Sequence, residues 1–216
     1  MIIVVGGIKG GSGKSTVATN LAVIRAAAGS DLLLVDADEQ ETATDFTALR
    51  SESSNGNAGY TGIKLTGSAV RTQLLRLKEK YDDIVIDTGG RDTTSQRAAI
   101  TIADVMLVPF VPRSFDVWTL EKVSALVEEM KPANESLLVY TFLNRADPRG
   151  QDNADAAELL KDHPALRYLP APLGNRKAFP NAAALGLGVT ELKPEDPKAT
   201  AEIMMLYRSL FDITER

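Results

Sequence analysis

Two lysines flank a run of small residues near the start of the chain, Lys9-Gly10-Gly11-Ser12-Gly13-Lys14-Ser15-Thr16. Glycines let backbone N–H groups converge on an anion. Lys14 offers a fixed positive charge for β- and γ-phosphates, and the Ser15 hydroxyl is a suitable magnesium ligand. The run follows the apolar stretch Ile2–Val5 and opens a helical pattern, so its amides sit at a helix N-terminus, where the dipole favours anions. Gly10, Gly11, Ser12, Gly13, Lys14, Ser15 and Thr16 are therefore predicted to cradle the phosphates of ATP, with Mg2+ beside them.

Two further apolar runs end in carboxylates. Leu32–Val35 leads into Asp36-Ala37-Asp38-Glu39-Gln40, and Ile84–Ile86 into Asp87-Thr88-Gly89-Gly90. Carboxylates just past a strand's C-terminal end lie at the ligand edge of an open α/β sheet. Asp87 is placed to hold magnesium through water. Asp36 and Asp38 precede a helix, so capping is a second use for them, compatible with the first. Gly89 and Gly90 allow backbone to approach closely.

The usual phosphate loop has a glycine where Ile8 stands. Here a second lysine, Lys9, follows instead, giving K-G-G-S-G-K-S-T. In this the chain resembles the deviant Walker A P-loop ATPases of the ParA/MinD group. The resemblance implies a homodimer closed on ATP, with Lys9 reaching across to the partner's phosphates. It implies that Asp38 positions or polarises the attacking water, so that Lys9, Lys14 and Asp38 form the catalytic set. Asp36 would support a magnesium shell completed by Ser15 and Asp87. Glu39 departs from the family's proline, which changes how rigidly Asp38 is held, and the turn after Asp87 also lacks a proline common in relatives. Pro112-Arg113-Ser114-Phe115-Asp116 resembles a proline-containing segment of the family. Asn144-Arg145 stands where relatives recognise adenine, although an ordinary strand-to-loop turn reads equally well there.

The last third of the chain resembles ParA-type partition ATPases, through Asn175-Arg176-Lys177-Ala178-Phe179, Ala182-Ala183 and Gly186-Leu187-Gly188-Val189. That likeness implies a cytoplasmic, nucleoid-associated switch. The ATP dimer would hold nonspecific DNA through Arg176, Lys177, Lys193 and Lys198. A ParB-like or adaptor partner would stimulate slow hydrolysis, and the output would be segregation of plasmid or chromosomal DNA or positioning of a cargo. The phosphate loop begins almost at Met1, so this reads as a short form without a helix-turn-helix extension, and autoregulation at an operator is not expected. The alternative is a MinD-like membrane-associated positioning ATPase, which needs a basic amphipathic C-terminal helix. The tail Tyr207–Arg216 has balanced charges and no lysine, against membrane targeting.

These side chains need a scaffold, and the rest of the sequence describes one. Short apolar runs at Ile2–Val5, Leu32–Val35, Ile84–Ile86, Val105–Val108 and Leu137–Phe142 read as buried strands. Helical patterns at 14–28, 40–50, 68–80, 95–102, 115–130, 153–161 and about 198–213 separate them, and 51–61 reads as a surface loop. The alternation predicts one α/β domain over 1–216, a doubly wound, mostly parallel sheet with helices on both faces, as in P-loop NTPases. A length of 216 residues suits one core. The net charge of −5 excludes a globally basic nucleic-acid binder, and the absence of cysteine excludes disulfides and thiolate-held iron–sulfur clusters. Met204 and Met205 are expected in the core, Trp118 in packing or as an anchor for a dimer or partner, and His163 in a surface loop.

Overall fold

The computed structural model describes residues 1–112, 117–147 and 151–211. Among these, strands β1 (Ile2–Val5), β2 (Leu32–Asp36), β3 (Thr61–Lys64), β4 (Asp83–Asp87), β5 (Val105–Phe110), β6 (Leu138–Leu143) and β7 (Arg167–Tyr168) form one sheet. Its order is β3-β2-β4-β1-β5-β6-β7, and every pairing is parallel. The helices are α1 (Lys14–Ala27), α2 (Thr42–Ser53), α3 (Ala69–Leu77), α4 (Thr94–Ile100), α5 (Val117–Met130), α6 (Asp152–Lys161), α7 (Ala178–Ala183) and α8 (Pro197–Phe211).

Right-handed crossovers decide which face each helix covers. The chain moves one way along the sheet from β1 to β2 to β3, and the other way from β3 to β4 and from β4 onward through β7. Helices α1 and α2 must therefore lie on one face, and α3 to α6 on the other. The apolar clusters agree. Val17, Leu21, Ala43, Phe179, Ile203 and Leu206 join one core, from α1, α2, α7 and α8. Ile100, Leu120, Val123 and Leu160 build a second from α4, α5 and α6, and Val70 and Leu74 of α3 a third. With both faces covered, the inner strands are buried from end to end, which is why they read as unbroken apolar runs rather than alternating ones.

The outer strands have no such signature in the sequence, for the same reason. β3 is exposed along most of its length and β7 has two residues, so neither carries an apolar run. Residue Thr61, expected in a loop, begins β3, and residues 51–53 extend α2. Helix α7 is also unexpected, since it is short and holds Pro180. The core expectations change too. Trp118 is 74% exposed and Met205 52% exposed, whereas Met204 is partly buried against the first core. His163 is half-buried. Residues 113–116 of the expected proline-containing segment lie outside the described residues, and so does the tail from 212 onward.

The register sets the site. Asp87 pairs with Val5 on one side and Asp36 on the other. Two carboxylates and the strand that feeds the glycine-rich loop thus end level, at the carboxyl edge where the winding direction reverses.

Candidate nucleotide-binding site

Beyond β1 the chain makes a tight loop that returns on itself. The Lys14 ammonium donates to the Lys9 carbonyl at 3.1 Å, and the Ser12 hydroxyl donates to the same oxygen at 3.4 Å. Gly13 has a φ of 90°, in the left-handed region, and a Cβ there would lie 2.3 Å from the Asn144 side-chain nitrogen. Only glycine meets both demands. Asn144, just past the end of β6, donates its side-chain amide to the Ser12 carbonyl at 2.7 Å, and its own backbone N–H is held by the Phe110 carbonyl. Lys14 is buried. Burial lowers its pKa, opposed by the nearby carboxylates of Asp87 and Asp38. A buried ammonium that faces two carboxylates and donates to a loop carbonyl is suited to polyanionic phosphate.

Asp87 is fully buried and neither carboxylate oxygen has a hydrogen-bond partner. Burial raises its pKa to about 7, reinforced by Asp36 and Asp38; the Ser15 hydroxyl and Lys14 pull the other way. Ser15 is thus near enough to be felt electrostatically while lying outside good hydrogen-bonding geometry. An orphaned buried carboxylate beside a serine hydroxyl fits a divalent cation that takes few protein ligands and completes its shell with water and phosphate. No group of three or more acidic or histidine ligands occurs among the described residues.

Asp36 is engaged differently. Its Oδ1 accepts from the Asp38 N–H at 3.1 Å, and its Oδ2 accepts from both the N–H and the hydroxyl of Thr44 at 2.8 Å. It ties the Asp38 loop to the start of α2. Asp38 remains half-exposed, with Oδ1 accepting from the Gln40 N–H at 3.3 Å. The glycines after β4 are shaped by these neighbours. A Cβ on Gly89 would lie 2.9 Å from Asp38 Oδ1, and one on Gly90 would lie 2.6 Å from the Gly10 Cα.

Together these segments line a cavity of 640 Å³ whose walls include Gly10, Lys14, Ser15, Asp38, Gly90 and Arg145. A second cavity of 300 Å³ adjoins it across Gly13 and Thr16, and is lined by Asn144, Arg145, Lys177 and Phe179. Arg145, at φ 54°, borders both. Lys9 lines neither. With Val108, Phe110, Val111 and Thr119 it borders a separate small cavity of about 10 Å³.

A family model described as the CobQ/CobB/MinD/ParA nucleotide binding domain matches residues 3–189. The chain belongs to this family. Among its relatives, maintenance of carboxysome distribution protein A of Halothiobacillus neapolitanus is 24% identical over 210 residues, covering 96% of this chain and 95% of that protein. Protein ParA of Rhizobium radiobacter is 22% identical over 212 residues, covering 94% and 90%. The structure of apo McdA from Cyanothece superposes with a TM-score of 0.80 at 21% identity, covering 97% of this chain and 98% of that one. At that identity the superposition speaks to the fold, the all-parallel sheet of a P-loop NTPase.

The basic residues expected at DNA are not alike. Arg176 is half-buried and forms a two-pronged pair with Glu202, at 2.5 and 2.8 Å, so its charge is largely matched within the chain. Lys177, Lys193 and Lys198 are exposed. Gln96 is a site residue that the sequence reading does not single out. Its Oε1 accepts from the Gly7 N–H at 2.9 Å and the Thr88 hydroxyl at 3.0 Å, joining the ends of β1 and β4 from inside α4. A signal exists, because Thr93-Thr94-Ser95-Gln96 matches the capping box. Thr93 does cap the Gln96 N–H, at 3.2 Å, but the glutamine amide turns inward to the site.

Proposed function

We propose that this family member is an ATP-dependent dimerising switch of the ParA type, which hydrolyses ATP slowly and binds nonspecific DNA as the ATP dimer. The observation that carries the reading is the separation of the two lysines. Lys14 lines the 640 Å³ cavity near Asp38 and Asp87, whereas Lys9, in the same loop, does not line it. In the ParA-type reading, this second lysine is the one that contacts the nucleotide of a second copy.

In this reading the loop amides and Lys14 hold the phosphates, Ser15 and Asp87 hold Mg2+, and Asp38 orients the water. Magnesium, when bound, would supply positive charge to offset that of the phosphates. Asp36 acts through Asp38, by fixing its loop, rather than on the metal. The cavity beside Asn144 and Arg145 is the place for the base. The likeness to proteins named for carboxysome distribution and for ParA supports a cargo-positioning or partition role on the nucleoid, with an adaptor or ParB-like partner that triggers release. The output is a population shift between monomer and DNA-bound dimer.

Light scattering on the wild type and on Asp38→Ala tests this. Magnesium and ATP should convert both to dimers, with ADP leaving monomers, and the Asp38→Ala dimer should persist because the attacking water is no longer oriented. A chain that stays monomeric with ATP would sink the proposal.

A further inference from the structure

The positive charge of this acidic chain is concentrated away from the four residues first expected to meet DNA. Residues 64–78 hold Lys64, Arg71, Arg76 and Lys78 with no carboxylate among them, and Glu79 and Lys80 follow, in a chain whose net charge is −5. The stretch 193–202 holds Lys193 and Lys198 against Glu195, Asp196 and Glu202. Glu202 is already paired with Arg176, so a polyanion approaching α3 meets a strong positive excess, while one approaching the start of α8 meets balanced charge.

Helix α3 packs on the sheet through Val70 and Leu74, which are buried, and Leu77, which is half-buried. Arg71, Arg76, Lys78 and Lys80 are exposed or nearly so. Lys64 is paired with Glu41, and Lys78 approaches Glu79 loosely at 3.8 Å. Arg71, Arg76 and Lys80 make no ion pair among the described residues. Helix stability explains part of this pattern, since cations near a helix C-terminus complement its dipole. It does not explain Arg71, which stands in the first turn, where a cation opposes the dipole. Arg71 and Lys78 are seven residues apart, so they share a flank about 10 Å apart along the axis. Long, solvent-facing cations at such spacing suit a row of phosphates and carry no base readout.

We propose that the exposed face of α3, through Arg71, Arg76, Lys78 and Lys80, is the surface that holds duplex DNA by its phosphates. This rests on the DNA-binding switch proposed above and names its contact surface. Two copies in a dimer double the number of phosphates held.

The test is fluorescence anisotropy with a labelled duplex of arbitrary sequence, in ATP and magnesium, over a salt series. It compares the wild type, Arg71→Glu with Arg76→Glu, and Lys193→Glu with Lys198→Glu. The α3 double variant should bind at least about tenfold more weakly, and its log–log salt slope should be shallower by about 0.9 for each phosphate it no longer neutralises. The Lys193 and Lys198 variant should stay within about twofold of wild type. ATP affinity by calorimetry should be unchanged in both; if the charge reversal disturbs folding, Arg71→Gln with Arg76→Gln decides by the same comparison. Wild-type-like binding by the α3 variants, with weakening confined to the Lys193 and Lys198 variant, overturns this surface and leaves the switch intact. No binding of duplex by the wild type in ATP overturns the DNA-binding reading itself, and binding to anionic vesicles instead would reassign α3 to a membrane.

Discussion

The Asn144 side-chain amide lies 2.7 Å from the Ser12 carbonyl and would be 2.3 Å from a Cβ on Gly13, so the end of β6 is keyed into the phosphate loop. Asn144→Ala leaves the Ser12 carbonyl unsatisfied in a buried place, at a cost of about 1–3 kcal/mol. ATP affinity should fall roughly tenfold or more, because the loop is less preorganised. Asn144→Asp should be worse, since it sets a carboxylate against a carbonyl. Calorimetry with ATP and magnesium reads both; wild-type affinity in Asn144→Ala would show that the loop holds its shape without this bond.

The two glycines after β4 should fail in different ways. Gly89→Ala puts a methyl group 2.9 Å from Asp38 Oδ1, and a side-chain carboxylate can shift. Hydrolysis should drop well below wild type while ATP binding persists. Gly90→Ala puts its methyl 2.6 Å from the Gly10 Cα, and backbone cannot step aside so easily. It should lose nucleotide binding. Identical phenotypes in steady-state ATPase and binding assays would contradict this division.

Lys14→Ala should abolish nucleotide binding, whereas Lys9→Ala should bind ATP and remain monomeric. Lys14 lines the phosphate cavity and Lys9 does not. Calorimetry separates the first property and light scattering the second. A stable ATP dimer of Lys9→Ala would refute its role across the interface.

The parts of this arrangement that are legible in the sequence are those buried on both sides. The inner strands appear as apolar runs, and the carboxylates Asp36 and Asp87 mark where two of them end. The sheet's rims are not legible, because β3 and β7 are exposed or very short and leave no apolar trace. Nor can local sequence show bonds made across the sheet. Gln96 joins β1 to β4, and Asn144 joins β6 to the loop after β1, each through a polar side chain whose partner lies far along the chain. The Arg176–Glu202 pair is similar: from sequence alone Arg176 is a free cation, and only folding brings Glu202 to it.

Asp87 gives the chain without nucleotide or metal a distinctive pH dependence. Its carboxyl, raised by burial to about 7, is compared with an unfolded value near 4. Between those values the native state holds a proton that the unfolded state has released. Stability must therefore fall as pH rises through that window, and level off above about 7. At 1.36 kcal/mol per pKa unit the decrease is roughly 4 kcal/mol as an upper bound. Asp87→Asn has the same shape and no charge to desolvate, so it should lack this slope. In chelator, without nucleotide, urea unfolding should show the two proteins similar near pH 4 and the variant more stable at pH 8. In the proposed reading Asp87 holds the magnesium ion, so the same variant should also lose magnesium-dependent ATP binding. Parallel stability curves for the two proteins from pH 4 to pH 8 would mean that Asp87 is already ionised and compensated in the native chain, and its role as an uncommitted metal ligand would have to be abandoned.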